Sequence, residues 1–324
     1  MATINDVAEQ AGVSVTTVSR VLNNRGYISE KTRQKVYQVM DELNYQPNEL
    51  ARSLLRKHSN VLGLIIPSVE HPFFGELANA IESVAYQHGF KLLLCNSQLD
   101  SVKEREYVDM MRRNRVDGMI LGSHTLEVGE YTNLNYPLVT IDRRIADIPF
   151  VASDNENGGA LAASLLIAKG CRKIGHLSGN MKLDMLSNLR TTGFEREARQ
   201  EGVEFVTYQT ELNVFDEQTY NEIIRKMFTE HPDIDGVFAT SDLMALFVMK
   251  WCRTFGKEVP RDVRIIGYDD IHAASWYMPG LSTIKQPIKN MARRAVELLL
   301  EQMDDKPVER ETVLPVELVE REST

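Results

Sequence analysis

The sequence is poor in cysteine and has no long apolar stretch. Its three cysteines, Cys95, Cys171 and Cys252, are far apart and odd in number, so they imply no disulfide framework and fit a reducing compartment. The longest apolar run, at about 61–67, is far too short to span a bilayer. The first residues also lack the basic and apolar segments of a signal peptide. These absences predict a cytoplasmic protein that does not enter a membrane.

The common sequence motifs of enzymes are missing as well. There is no Gly-x-Ser-x-Gly elbow, no Walker-type phosphate loop, no Gly-x-Gly-x-x-Gly and no Cys-x-x-Cys. The seven histidines show no i, i+4 pairing, which argues against a metal site, and His176 falls inside a predicted strand as an ordinary core residue. We therefore expect neither catalysis nor a bound cofactor or metal.

Charge is distributed unevenly along the chain. Residues 1–58 contain eight Lys or Arg and six Asp or Glu, a net charge of +2 within a total of −9, which leaves −11 for the remainder. The acidic remainder would repel a polyanion, so any contact with nucleic acid should be confined to the N-terminal segment. Because that segment is only mildly basic, its affinity would depend on pairing two copies of the chain.

The N-terminal pattern predicts short amphipathic helices. The inward stripes of the first two helices are Ile4, Val7, Ala8 and Ala11, then Val18, Val21 and Leu22. Thr3 and Asp6 can form an acidic capping box on the first helix, and Ser14 can cap the second. A third helix is predicted from Ser29 to about Leu43. Three helices around one small core are the minimum for an independent small domain.

The second helix presents small polar side chains and one arginine on its outward face. These residues are Thr16, Thr17, Ser19 and Arg20. Short side chains can approach base edges and arginine can reach guanine or phosphate, so this face suits a helix in the major groove of DNA. A helical hairpin with an ordinary solvated face is the alternative that this segment alone leaves open.

Five sequence blocks strengthen the DNA-binding interpretation. They are Asp6-Val7-Ala8, Ala11-Gly12-Val13-Ser14, Thr17-Val18-Ser19-Arg20-Val21, Leu43-Asn44-Tyr45-Gln46-Pro47-Asn48 and Ala51-Arg52-Ser53-Leu54. Together they resemble the headpiece and hinge of the LacI/GalR (lactose-repressor) family of bacterial transcription regulators. The resemblance implies that the partner is double-stranded operator DNA, read by a homodimer, because the leucine-heptad tail with which some members form tetramers is missing.

The resemblance also implies a DNA-binding surface that extends from the helix-turn-helix into the hinge. Its residues are Thr3, Ser14, Val15, Thr16, Thr17, Ser19, Arg20, Asn23, Tyr27, Asn48, Ala51, Arg52 and Leu54. In the family the hinge folds only on DNA, and a leucine matched here by Leu54 wedges into the central minor-groove step. An isolated helix of about eight residues is marginal in water, so contacts with DNA and with its two-fold mate would have to order the hinge.

From about residue 60, apolar strand-like runs alternate with helical patterns. Continuous apolar runs such as 61–66, 118–121 and 138–141 are typical of a parallel sheet that is covered on both faces. The alternation restarts near residue 158 and ends in a predicted strand at 312–318. This pattern indicates two doubly wound units, with ligand groups at the carboxyl ends of their strands.

The predicted fold class is an N-terminal all-α helix-turn-helix headpiece plus an α/β periplasmic-binding-protein-like core of two doubly wound sub-domains. The core assignment follows the family resemblance, which implies three crossover segments near 152–157, 281–287 and 305–312. The predicted domains are a headpiece at 1–46, a hinge helix or linker at 47–58, and an effector-binding and dimerisation core at 59–324. Within the core, sub-domain N is expected at 60–153 with 286–306, and sub-domain C at 156–282 with 310–324.

Several predicted strands are followed by side chains that folding alone does not require. They are Ser68 with Phe73 and Phe74, Asp142 with Arg143, Arg190, Ser241 with Asp242, and Asp269 with Asp270. Carboxylates and an arginine can bond vicinal hydroxyls while an aromatic ring packs on an apolar ring face, so this set suits a polyol. Structural alternatives remain: Asp242 as a helix cap, Phe73 as a core residue and Arg143 as half of a surface ion pair.

Within the family resemblance, these positions imply an effector site. The implied effector-binding residues are Ser68, Phe73, Phe74, Asp142, Arg143, Arg190, Phe215, Ser241 and Asp269. Ser241 stands where many relatives have asparagine, so its contact should differ. The blocks Asp142-Arg143, Ser153-Asp154-Asn155 and Lys285-Gln286-Pro287 are most similar to sucrose- or ribose-operon repressors.

The function that the resemblance implies is a sequence-specific transcriptional repressor of a sugar-utilisation operon. It would leave a palindromic operator when a small sugar or sugar phosphate binds the core cleft. The alternative is a catabolite-control-type regulator whose DNA binding is activated by a phosphorylated carrier protein. A free sugar-binding protein or a sugar enzyme is disfavoured by the headpiece and by the missing signal peptide.

Overall fold

The chain forms two compact units, Met1–Ser59 and Asn60–Thr324. A computed structural model describes residues 2–46, 58–123, 125–134, 136–182, 184–210 and 217–324. The predicted hinge helix at 49–56 lies outside the described residues. Among the helices that are described, none combines the length and apolar character needed to span a lipid bilayer.

The first unit contains the three predicted helices, α1 (Ile4–Ala11), α2 (Val15–Leu22) and α3 (Glu30–Glu42). The predicted caps are confirmed: Thr3 and Asp6 form a capping box on α1, and the Ser14 side chain caps α2. Between α1 and α2 the chain turns at a glycine with φ of 63°, a backbone conformation that favours glycine. The small core consists of Val7, Ala8, Ala11, Val18, Val21, Val36, Val39 and Met40.

The second unit is built on two sheets, each with six described strands. The strands of the first sheet are β1 (Val61–Ile66), β2 (Lys91–Asn96), β3 (Gly118–Leu121), β4 (Leu138–Ile141), β5 (Phe150–Ser153) and β11 (Glu311–Leu314). Those of the second sheet are β6 (Lys173–Ser178), β7 (Glu204–Gln209), β8 (Gly236–Ala239), β9 (Arg264–Asp269), β10 (Ser282–Lys285) and β12 (Glu317–Val319).

Both sheets have the doubly wound order that the alternating pattern predicts. The first runs β11-β5-β4-β3-β1-β2 and its pairs are all parallel, whereas the second runs β12-β10-β9-β8-β6-β7 and only β12 pairs antiparallel. Every residue of β3, β4 and β8 is buried. Continuous apolar strands are therefore covered on both faces, as the sequence indicates.

The end of the chain differs from the prediction. The single strand expected at 312–318 is two strands, because Pro315 lies between β11 and β12 and cannot donate to a ladder. The segment 311–314 consequently belongs to the first sheet, not to the predicted sub-domain C, and the last crossover falls after it, not at 305–312. The crossover predicted near 281–287 contains strand β10, whereas the edge strand β7 was not predicted; β7 alternates little and is only partly buried.

Helices cover both faces of the two sheets. They are α4 (Pro72–Gln87), α5 (Ser101–Arg113), α6 (Val128–Thr132), α7 (Asn155–Ala168), α8 (Leu189–Gln200), α9 (Glu217–Glu230), α10 (Asp242–Thr254) and α11 (Ile288–Met303). Helix α11 packs on α4 and on strands β3 to β5 of the first sheet. Short 3₁₀ turns lie at Leu186–Asn188 and His272–Ser275.

Helices α7 and α8 approach each other through two glycines. A Cβ atom on Gly159 would lie 1.9 Å from the carbonyl oxygen of Arg190, and one on Gly193 would lie 1.9 Å from that of Glu156. The two backbones are therefore in direct contact, and no larger residue fits at either position. This contact fixes α8, which carries Arg190, to α7, which begins where the chain passes from the first sheet to the second.

Candidate DNA-reading surface and effector cleft

The exposed face of α2 carries the residues predicted to read bases. Ser14, Val15, Thr16 and Arg20 are exposed, and Val15 has 40% of its surface accessible. Val18 and Val21 on the opposite face are fully buried in the small core. An exposed row of short side chains with one arginine has the dimensions and chemistry for a major groove.

The other predicted DNA-binding residues are placed less uniformly. Thr17 and Ser19 are half-buried, and the Asn23 amide donates to the Ser19 carbonyl oxygen at 2.9 Å. Thr3 is exposed, but its hydroxyl is engaged with Asp6. Tyr27 is 95% exposed. The predicted hinge contacts Asn48, Ala51, Arg52 and Leu54 lie outside the described residues.

The second unit contains a cleft at the carboxyl ends of strands from both sheets. Residues that directly follow or end these strands and line the cleft include Pro67, Asp142, Ser178, Thr240, Asp269 and Gln286. The remaining lining residues are His71, Phe73, Phe74, Leu99, Ile141, Gly179, Asn180, Met185, Ser187, Asn188, Arg190, Thr191, Thr210, Tyr220, Ser241 and Met244. Open α/β sheets bind ligands at this edge.

A buried arginine joins the two sheets at the floor of the cleft. The Arg190 guanidinium lies 3.9 Å from a carboxylate oxygen of Asp142, which follows β4, and 3.7 Å from one of Asp269, which ends β9. All three side chains are at least nine-tenths buried. Because both separations exceed hydrogen-bond length, the carboxylates retain the capacity to bond a ligand.

Neighbouring groups fix the arginine in place. Its Nε–H donates to Asn155 Oδ1 at 2.7 Å and an Nη1–H donates to the Thr240 carbonyl oxygen at 2.8 Å. The guanidinium stacks over the Tyr268 ring at 3.8 Å from the centroid. The Asn155 amide nitrogen also donates to Asp142 at 3.1 Å. Asn155 therefore links a group of the first sheet to one of the second.

Burial dominates the electrostatics of the two carboxylates. It raises the pKa of Asp142 and Asp269 above the ordinary range, while the charge of Arg190 acts in the opposite direction. Both residues also have positive φ angles, 55° for Asp142 and 124° for Asp269. Such backbone conformations are unfavourable for residues other than glycine and cluster at functional sites.

Two lining residues that were not predicted have informative environments. His71 is neutral near pH 7, because burial and the nearby charge of Arg190 lower its pKa to about 4. The Gln286 Nε2 donates to Asp269 at 2.7 Å, whereas its buried Oε1 has no hydrogen-bond partner within the part of the chain that the structure describes. An unpartnered buried acceptor in a cleft is suited to a ligand donor.

The predicted effector residues divide into three groups. Phe73, Phe74, Asp142, Arg190, Ser241 and Asp269 line the cleft. Phe215 lies outside the described residues. Ser68 and Arg143 are not among the lining residues: the Ser68 hydroxyl accepts from the Glu70 amide at 3.2 Å, and the Arg143 guanidinium lies over the Tyr131 ring at 5.5 Å.

Two expectations about structural roles are corrected. Arg143 is not half of a surface ion pair, since it contacts Tyr131 and the Leu126 carbonyl oxygen. Asp242 is not the cap of α10, because the Ser241 hydroxyl accepts from the Met244 amide instead. Asp242 is fully buried and accepts from the Ile271 amide at 2.9 Å. Burial raises its pKa to about 7.

Comparison with known proteins agrees with this architecture along the whole chain. Residues 3–48 match the family of bacterial regulatory proteins called lacI, and residues 163–324 match a periplasmic binding protein-like domain. The ribose operon repressor of Halalkalibacterium halodurans is 39% identical over 100% of this chain and 97% of that protein. The sucrose operon repressor of Streptococcus mutans serotype c is also 39% identical, over 100% of this chain and 99% of that protein.

Among solved structures, the lac repressor dimer bound to operator and the anti-inducer ONPF is similar throughout. It has a TM-score of 0.88 at 28% identity and covers 99% of this chain and 98% of that chain. The predicted fold class, a helix-turn-helix headpiece with a periplasmic-binding-protein-like core, is confirmed. The chain therefore belongs to the lacI family of bacterial regulatory proteins.

Proposed function

We propose that this protein is a transcriptional repressor of a sugar-utilisation operon that leaves a palindromic operator when a small sugar or sugar phosphate binds the core cleft. It acts as a homodimer on DNA in the bacterial cytoplasm and catalyses no reaction. The observation that carries the proposal is the buried Arg190 between Asp142 and Asp269, at the junction of the two sheets. The curated relatives, repressors of ribose and sucrose operons, support the same class of effector.

The cleft has the chemistry that a sugar requires. Carboxylate and guanidinium groups bond adjacent hydroxyls in pairs, and Asp142, Asp269 and Arg190 lie within one cluster. Phe73 and Phe74 line the same cleft with their rings 5.1 Å apart, which provides an apolar surface for the C–H face of a sugar ring. Small-molecule sites commonly combine apolar walls with a few convergent polar groups.

A ligand in this cleft would contact both sub-domains at once. Asp142 follows a strand of the first sheet, whereas Asp269 ends a strand of the second sheet and Arg190 lies on helix α8 beside it, so a bound sugar favours one angle between the sheets. If operator DNA favours a different angle, the two ligands oppose each other through a coupling of about 1–3 kcal/mol, which is reciprocal by linkage. The predicted hinge at 47–58 is the part of the chain through which we expect this coupling to act.

On the DNA side, two headpieces would read the half-sites of a palindrome. Val15 and Thr16 would meet base edges, and Arg20 would meet a base or a phosphate. Replacing one such contact typically lowers affinity by about 1–3 kcal/mol. The alternative of activation by a phosphorylated carrier protein is not favoured, because the ribose and sucrose operon repressors described above are each 39% identical over the full chain.

Operator affinity measured with and without sugars tests the proposal. An operator is first selected from random duplexes with the full-length protein, and its affinity is then measured by fluorescence anisotropy at fixed salt. A sugar that binds the cleft should weaken operator binding about tenfold or more, which corresponds to about 1.4 kcal/mol. The proposal fails if no sugar or sugar phosphate changes operator affinity.

A further inference from the structure

The cleft has little positive charge to offer an anion. Among its described lining residues, Arg190 is the one permanent cation, and it lies within 4 Å of two carboxylates. His71 adds no charge at neutral pH, because its pKa is lowered to about 4. A phosphate dianion would therefore be transferred from water into neutral or negative surroundings, which is unfavourable.

Two helices present their N-termini to the cleft, yet neither is suited to a phosphate. Helix N-termini bind anions through free N–H groups. Helix α4 begins at Pro72, whose backbone nitrogen has no hydrogen to donate. Helix α10 begins at Asp242, a buried carboxyl, and the Ser241 hydroxyl already accepts from the Met244 amide. Pro72 removes one donor at the first end, and at the second end the Ser241 hydroxyl occupies one N–H while the Asp242 carboxyl opposes the positive helix potential, so both ends offer an anion less than an ordinary helix N-terminus does.

Three buried side chains of the cleft present acceptor oxygens to a ligand. Asp142 and Asp269 contribute carboxylate oxygens, and the buried Oε1 of Gln286 has no partner among the described residues. A phosphate dianion can only accept hydrogen bonds, so it would leave these oxygens unpaired. A sugar hydroxyl both donates and accepts, so it can satisfy the acceptors and the Arg190 guanidinium together.

We propose that the effector is an uncharged polyhydroxylated sugar and that the cleft rejects the phosphate ester of the same sugar. This inference rests on the proposed function, since it narrows the chemistry of the same effector site. The regulator then responds to the sugar before any phosphoryl transfer. Its effector is supplied by uptake without phosphorylation or by hydrolysis of a glycoside, and it is consumed by a sugar kinase.

Titration calorimetry on the full-length protein with matched pairs of ligands tests the proposal. The pairs are D-ribose with D-ribose 5-phosphate, D-fructose with D-fructose 6-phosphate, D-glucose with D-glucose 6-phosphate, and sucrose with sucrose 6-phosphate. We expect at least one parent sugar to bind and its ester to bind at least tenfold more weakly. An ester that binds as tightly as its parent or more tightly overturns this inference but leaves the proposed function standing. Binding of no member of any pair overturns both.

A charge-neutral variant tests the physical cause of the discrimination. Asp142→Asn keeps the size of the side chain and removes one negative charge beside Arg190. The ratio of ester to parent dissociation constants should fall at least fivefold, while Asp147→Asn, which removes an exposed carboxylate that pairs with Arg310, should leave the ratio unchanged. Thermal unfolding establishes that each variant is folded, and Asp269→Asn replaces Asp142→Asn if the latter is not. An unchanged ratio in a folded cleft variant contradicts the proposal.

Discussion

The headpiece and the cleft place their functional side chains in opposite ways. Val15, Thr16 and Arg20 lie on the surface of a small core, so their side chains contribute little to folding. In the cleft, Arg190 and Asp269 are 6% and 3% exposed and are held by buried partners. Functional residues can therefore be exchanged in the headpiece at little structural cost, whereas each exchange in the cleft also disturbs a buried charge network.

The largest effect should come from breaking the headpiece core itself. Val18→Asp places an unpaired charge in a fully buried position and should unfold the first unit. We expect loss of detectable operator binding in the anisotropy assay, with unchanged sugar affinity in calorimetry. Val102→Asp makes the same chemical change at a side chain that is 59% exposed on α5 and should alter neither. Operator affinity that survives Val18→Asp would show that the headpiece does not depend on its core.

The next largest effect is expected at the centre of the cleft. Arg190→Gln removes the charge between Asp142 and Asp269 and leaves two buried carboxylates without compensation. Breaking a buried pair of this kind costs about 3–5 kcal/mol, so sugar affinity and the stability of the second unit should both fall. Arg143→Gln is the matched control, since Arg143 follows Asp142 in sequence but does not line the cleft. Equal losses in both variants would refute the assignment of Arg190.

An effect of intermediate size is expected at Asp242, where the stability of the second unit should depend on pH. Burial raises the pKa of Asp242 from 3.8 to about 7, so the folded state holds a proton that the unfolded state releases between these values. The stability that this group contributes is present below about pH 4 and is lost as the pH rises through 7. Asp242→Asn should therefore stabilise the second unit by up to about 4 kcal/mol above pH 7, the equivalent of roughly three pKa units.

The same variant should gain little stability near pH 4, where Asp242 is protonated in the wild type. Denaturant unfolding at pH 8, 6 and 4 measures the difference. A gain that does not change with pH would indicate that the amide improves packing or hydrogen bonding instead of relieving a buried charge.

The smallest effect distinguishes capping from DNA contact within the headpiece. Ser14 and Ser29 cap α2 and α3 in the same way, each accepting from the amide three residues later at 3.2 Å. Ser14→Ala and Ser29→Ala should each destabilise the headpiece by about 1 kcal/mol. If Ser14 also contacts the operator, Ser14→Ala should weaken operator binding several-fold more than Ser29→Ala. Equal operator affinities in the two variants would restrict Ser14 to its capping role.

Most helices and strands could be predicted from the sequence because the residues that determine them are close together in the chain. The predicted caps at Thr3 and Ser14 depend on residues three positions away and both are present, and the third helix begins directly after Ser29. The continuous apolar strands likewise predicted both parallel sheets. The division of the last strand depends on which sheet each half joins, and that choice is made by neighbours far away in sequence, with Pro315 as the single local signal.

The residues of the cleft could be predicted only in part, because the local sequence locates the strand ends but not the distant partners of the side chains there. Position at strand ends identified Asp142, Arg190 and Asp269, but it could not separate Asp142 from Arg143, which follows it and turns towards Tyr131. Successive side chains of an extended chain point to opposite faces, so one of two such neighbours is expected to face the cleft, but alternation does not indicate which one. Asn155 and Gln286 were missed because a buried amide acquires its role only from distant partners.

The glycine contact between α7 and α8 has a consequence for how tightly a ligand can be held. Because the backbones of α7 and α8 touch at Gly159 and Gly193, no side chain separates the two helices, and they form a single rigid block. Arg190 is therefore held in position by the fold itself, and a sugar need not organise it on arrival. Substituting either glycine would force the two helices apart and displace Arg190, so the variant should respond less to the effector as well as being less stable.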